Sequence, residues 1–297
     1  MKLFLFLMLI IIDSISAKDY QVGFAQDTMD NDWRLAQVKD VENEIAKYPY
    51  LHLTVKDANS QISNQILDIE YFIKNNYDFI ITSPINSNLT SKVLKKAQSK
   101  GIKVILLDRG ITTDNYNTFI SPDNILIAKK AARFLVDKLN SKGTILMIEG
   151  IQGATPTILR TKGFMEIVNK YPDIKVIKRT ANFLRADAAK VMEDIYKNNI
   201  KFDAIYSHSD SMLSGVRMVM NKKKKSKILS VGIDYIKEAK TAILNNKQDI
   251  SFTYDTCGKE GVEAIVSYIK GKKVRKNITI STTMVTKANA YKVEPIF

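Results

Sequence analysis

From Tyr20 onward, short β-branched and apolar runs alternate with longer stretches whose apolar residues recur every three or four positions. The runs predict strands at 20–25, 51–56, 79–82 and 104–108; the stretches between them predict helices over 32–47, 60–75 and 87–100. After a connector at "NTFISPDN" the pattern resumes, with strands near 144–149, 174–178, 204–207 and 228–233. Helices are expected near 124–140, 156–170, 186–198, 211–220 and 236–245. Repeated strand-helix-strand units imply parallel sheets covered on both faces. A single open sheet of this many strands would be unusually wide, so two similar lobes are the economical reading. The chain ends with a strand at 250–253, a helix at 258–270 and extended pieces at 278–281 and 283–285, too little for a third lobe. If they complete the first two, the chain crosses near Ser121, Thr253 and Thr282. Three such connections make a hinge. The expected division is 18–121 plus 254–281 for the N-terminal lobe and 122–253 plus 282–297 for the C-terminal lobe.

Composition agrees with two cores: 297 residues are 45% hydrophobic. The start, "MKLFLFLMLIIIDSISAKDY", has a basic residue, an apolar run from Leu3 to Ile12 and small residues before Lys18. That pattern predicts a cleaved signal peptide over residues 1–17, and hence an exported, periplasmic protein. The apolar run is short for a membrane span. Cys257 is the only cysteine, which excludes an internal disulfide. The formal charge of +14 raises the question of nucleic acid, but the lysines are scattered. Their two concentrations, "NKKKKSK" (221–227) and "GKKVRK" (271–276), fall where a helix ends and lack interleaved aromatics. They read as solvated helix ends that complement the helix dipole.

In open parallel sheets ligands bind beyond the carboxyl ends of the strands. Those positions carry "QDTMDNDWR", "SPINS" and "DRG" in the first half, and "EGIQGATPTILR", "RTANFLRAD", "SHSD" and "GIDY" in the second. They are rich in Asp, Asn, Arg and aromatic residues. Taken singly, Asp108 could cap a turn and Arg109 could be solvated. Trp33, the only tryptophan, stands between Asp32 and Arg34 at a helix start, where a core indole is less expected. An aromatic beside Asp and Arg suits a sugar, because its ring stacks on C–H faces while the charged groups fork onto hydroxyls. Phe183 has either that role or a core one. The chain has no GxxxxGK[ST] loop and no GxGxxG fingerprint, and its two histidines, His52 and His208, lack a partner at metal-ligand spacing. No metal, no cofactor and no catalytic residue are expected.

These strand ends, with "VGFAQ", "DNDWRLAQ", "GIKVILLDRGI", "SPDNILIAKKAA", "LRTKGF", "NFLRADAAKVME" and "YSHSDSMLSGV", are in the order and spacing of the sugar-binding type I periplasmic binding proteins. From Tyr20 to about Lys287 the chain resembles the ribose-binding type and is most similar to its galactofuranose-binding branch. The resemblance implies two Rossmann-like α/β lobes joined by a three-strand hinge, closing on a monosaccharide. It implies stacking for Trp33, a polar contact for Arg34 and an Asp108–Arg109 pair that clamps hydroxyls. Arg160, Phe183 and Asp234 would line the other lobe. Two positions depart from the family pattern. Ser209 stands where an Asn is usual, leaving room for water or a larger ligand, and "SFTYDT" offers Phe252 and Tyr254 where a Gln or Glu is usual.

The implied function is a non-enzymatic binding protein, expected to be a monomer, that delivers a furanose-like sugar to an ABC permease. An alternative keeps the fold and docks the protein on a histidine kinase or chemoreceptor. A hydrolase or isomerase in the same cleft would need a nucleophile–base pair that the sequence does not place. A DNA-binding repressor would need a helix-turn-helix where the leader stands.

Overall fold

The structure is a computed structural model and describes residues 18–297. The expected signal peptide lies outside the described residues. In chain order the elements are β1 (Tyr20–Gln26), α1 (Asp32–Ile45), β2 (Leu51–Asp57), α2 (Ile62–Lys74), β3 (Phe79–Thr82), α3 (Ser87–Ser99), β4 (Lys103–Leu107) and β5 (Thr118–Pro122). There follow α4 (Asn124–Lys138), β6 (Gly143–Glu149), α5 (Thr155–Val168), β7 (Ile174–Thr180), α6 (Arg185–Lys197), β8 (Ala204–Ser207), α7 (Asp210–Lys222), β9 (Leu229–Val231) and α8 (Lys237–Leu244). The last elements are β10 (Ile250–Phe252), α9 (Gly258–Ile269), β11 (Asn277–Ile280) and β12 (Met284–Thr286).

Two six-stranded sheets result, in the orders β11-β5-β4-β3-β1-β2 and β12-β10-β9-β8-β6-β7. All pairs are parallel except β10 with β12, which run antiparallel. Continuous apolar runs become strands buried on both faces, each face taking alternate residues. In β4, Ile105 and Leu107 join a core with Val41 of α1 and Ile265 of α9, whereas Val104 and Leu106 join one with Phe72 of α2 and Leu94 of α3. The second sheet repeats the plan, with α4 and α5 on one face and α6 and α7 on the other.

The segment "NTFISP", expected as connector, forms β5. Its apolar run is short and flanked by turn formers, and half of its ladder comes from β11, more than 150 residues away in sequence. No local signal carries that pairing. The chain passes between the sheets after β5, between β10 and α9, and between β11 and β12.

In each sheet the strand order reverses direction at one strand, β1 between β2 and β3 and β6 between β7 and β8. Such reversals open a crevice at the carboxyl ends. Several helices that start there are capped by side chains: Asn31 accepts from Arg34 N on α1, Asp123 from Leu126 N on α4, and Ser209 from Met212 N on α7.

Candidate functional site

The carboxyl ends of the two sheets face each other across a narrow cleft that encloses about 40 Å³. All eight residues singled out from sequence line it: Trp33, Arg34, Asp108 and Arg109 from the first lobe, and Arg160, Phe183, Ser209 and Asp234 from the second. Asn31, Pro156, Ser211 and Tyr254 complete the wall.

The first lobe contributes a buried ion network. Arg34 Nε lies 3.0 Å from Asp27 Oδ1, and its NH2 lies 2.8 Å from Asp108 Oδ2. Arg109 NH1 lies 2.8 Å from Asp27 Oδ2. Burial alone would lower the Arg34 pKa, but Asp27 and Asp108 outweigh it and hold the guanidinium above its usual value. Arg109 is lowered, because burial exceeds the help from Asp27, with Arg34 nearby opposing it too. Asp108 and Arg109, expected as a pair that clamps hydroxyls, are held in this network mainly by other partners. The two are 4.0 Å apart at closest, and each takes its short contact elsewhere, Asp108 from Arg34 and Arg109 from Asp27.

A single chain of hydrogen bonds then runs from this network into the other lobe. The Tyr254 hydroxyl donates to Asp108 Oδ1 at 2.7 Å and accepts from Asn124 Nδ2 at 3.0 Å. Asn124 Oδ1 accepts from Arg160 Nε at 2.8 Å, and Arg160 NH1 donates to the His208 carbonyl. Burial first, then the Asp108 charge, pushes the Tyr254 phenol well above its usual value, so it stays a donor. Of the two aromatics at that hinge crossing, Phe252 is buried in the second lobe's core and Tyr254 reaches the cleft. Sequence reasoning placed Tyr254 with Phe252 at the crossing where a Gln or Glu is usual without choosing between them, and assigned no role to Asn124, Asp27 or Asn31. Their signal was position alone, at hinge crossings and just beyond β1.

Trp33 and Phe183 bring aromatic rings to the cleft wall from the two lobes. Trp33 is half-buried, packs against the second lobe's core and donates from Nε1 to the Tyr254 carbonyl at 3.4 Å, with the Arg34 guanidinium 4.8 Å from its ring centre. Phe183 lies with its ring over Gly150, where a Cβ would sit 2.0 Å from the ring, so only glycine fits. Asp108, Phe183 and Asp234 have φ of 63°, 61° and 108°. A bulky residue such as Phe seldom adopts this left-handed region, and such strain gathers where a side chain must be aimed.

Asp234 is buried, and no side-chain group bonds its carboxyl among the described residues. Burial raises its pKa well above the usual range, Arg160 only partly opposing the effect. His208 does not line the cleft. It is fully buried behind the wall, accepts weakly at Nδ1 from Gly150 N (3.4 Å), and is kept neutral by burial and by Arg160. The lobes touch at the rim, where Thr155 Oγ1 accepts from Gly110 N and donates to Gly110 O, both at 3.3 Å. Arg185 bridges Asp32 across the mouth at 3.6 Å and Glu238 at 2.9 Å. Three guanidinium donors, the carboxyl groups of Asp108 and Asp234 and two aromatic rings can replace water around a small polyhydroxylated molecule.

The chain is similar to known proteins over most of its length. The ribose import binding protein of Bacillus subtilis is 29% identical over 90% of this chain and 87% of its own length. The galactofuranose-binding protein of Escherichia coli is 29% identical over 88% of this chain and 85% of its own. The solved fructose-binding periplasmic domain of a hybrid two component system superposes with a TM-score of 0.86 at 29% identity, covering 92% of both chains. The family pattern for the periplasmic binding protein domain matches residues 22–273, so this chain belongs to that family.

Proposed function

We propose that this protein is a periplasmic receptor that captures a monosaccharide, with furanose-like sugars favoured, and delivers it to an ABC importer. The observation that carries this reading is the fixed Arg34–Asp108–Tyr254–Asn124–Arg160 chain, flanked by Trp33 and Phe183. Fixed charges of both signs donate to and accept from hydroxyls without reorganising, and the rings cover the sugar's apolar faces. Asp234 offers its carboxyl as acceptor from the second lobe, and Arg109 and Ser209 offer donors. The names of the ribose and galactofuranose relatives support a monosaccharide, and the basic–apolar–small pattern of residues 1–17 supports export. The protein acts as a monomer and performs no catalysis. Calorimetry against pentoses and hexoses that populate furanose forms, galactofuranose included, is expected to find one sugar bound per chain. Absence of heat with every sugar would remove the reading.

A second reading is favoured by one observation, the fructose-binding neighbour that belongs to a two component system. In it the sugar-loaded protein docks on a membrane sensor rather than a permease. Co-purification of the sugar-loaded protein with permease or with sensor domains expressed from adjacent genes decides between them.

A further inference from the structure

The lysine run at 221–227 is not absorbed by the cleft, and it borders a second cavity. This cavity, of about 180 Å³, lies at the far end of α7 from Ser209, between that helix, β8, β9 and the turn after α8. Its walls carry Arg217, Lys225, Lys227 and Lys247. Only Lys227 has a carboxylate close by, Asp249 at 2.6 Å; among the described residues the other three have none within 4.0 Å. Arg217 is half-buried, donates from NH1 to Gln248 Oε1, and burial lowers its pKa more than the more distant Asp210 and Glu238 restore it. Ser230 also lines the cavity, 2% exposed, and its Oγ has no hydrogen-bond partner. A buried hydroxyl left unbonded beside unpaired cations is a donor set without an acceptor. The floor is apolar, formed by Ile205 and Leu213.

We infer that this cavity binds a phosphate ester. A tetrahedral oxyanion accepts from a guanidinium fork, ammonium groups and a hydroxyl at once, whereas a carboxylate would be satisfied by Arg217 alone. The apolar floor receives the carbon part of the ester. The ester has two sources, a free organic phosphate or the headgroup of an anionic phospholipid.

The experiment is calorimetry of the full chain with glycerol 3-phosphate at low ionic strength, beside sedimentation with phosphatidylcholine vesicles with and without phosphatidylglycerol. Saturable binding of either probe supports the site: glycerol 3-phosphate alone points to a free ester, and phosphatidylglycerol vesicles alone point to a headgroup. Arg217→Gln is expected to weaken binding by about tenfold, the loss of one charge-assisted hydrogen bond. Ser230→Ala is expected to weaken it several-fold without lowering the melting temperature, since the hydroxyl bonds nothing in the free protein. If Arg217→Gln does not fold, Ser230→Ala and Lys247→Gln carry the test. The combined Lys222→Gln, Lys223→Gln and Lys224→Gln variant, whose lysines lie outside the cavity wall, is expected to keep its affinity. Binding of neither probe, or an equal loss in that triple variant, overturns the inference and leaves only diffuse attraction.

Discussion

At the scale of single residues, Asp108 is the point where two kinds of interaction meet. One oxygen faces the Arg34 guanidinium at 2.8 Å and the other accepts from Tyr254 at 2.7 Å. Asp108→Ala leaves Arg34 with Asp27 alone and takes the acceptor from a buried phenol. Removing one partner of a buried charge pair costs about 3–5 kcal/mol of stability, and ligand affinity is expected to fall by about 2–5 kcal/mol. Calorimetry and thermal unfolding read the two losses, and a variant with unchanged sugar affinity would refute a binding role for Asp108. Trp33 poses the opposite test. Its ring lies between lobes rather than inside the core of its own, so Trp33→Ala is expected to weaken sugar binding by about 1–3 kcal/mol with little change in apo melting. A large drop in apo stability would make it a core residue instead.

At the scale of elements, the start of α7 is tied to β9 and β10 through a carboxyl that touches no solvent. Asp210 accepts from Gln248 Nε2 at 2.7 Å, from Tyr235 N at 2.7 Å and from the Ser251 hydroxyl. Gly232 passes so close that a Cβ there would collide with Asp210 Oδ1. Burial raises the Asp210 pKa from 3.8 to about 6, the hydrogen bonds and Arg217 opposing it. A carboxyl whose folded pKa exceeds its unfolded value favours folding most when protonated. Its contribution is therefore complete below about pH 4 and is lost as pH rises through about 6, a change of about 3 kcal/mol. Asp210→Asn removes this contribution, so the stability of the wild type relative to the variant is expected to decline between pH 4 and 7. Parallel curves for the two proteins over that range would show that Asp210 does not titrate as its burial demands.

At the scale of the whole molecule, two lobes share one polar chain through the hinge and meet again at the cleft rim. The Gly110–Thr155 hydrogen bonds exist only while the lobes are together, so they set part of the open–closed balance. Thr155→Val keeps the shape and removes both, which is expected to lower sugar affinity by about 1 kcal/mol, or roughly fivefold. Small-angle scattering should show a larger radius of gyration for the sugar-free variant than for the sugar-free wild type, and equal radii once both are saturated. Equal radii without sugar would mean that the rim contact does not bias closure. The exposed Arg185–Asp32 bridge at the mouth contributes less, because solvent screens it.

Hydrophobic alternation along the chain was enough to specify parallel strands, covering helices, two lobes and the loops that face the cleft, because those features follow from periodicity and from the turn residues at each strand end. It also marked the charged and aromatic residues at those ends, from Trp33 to Asp234, which converge on one cleft. What the tertiary structure decided is who pairs with whom. β5 needed β11, a remote partner, before it became a strand. Asp108 turned from its neighbour Arg109 to Arg34, and Tyr254 joined the lobes through Asn124 and Arg160. Periodicity reports which face of an element a side chain occupies, whereas a hydrogen-bond partner depends on how distant elements are brought together, and only the folded chain does that.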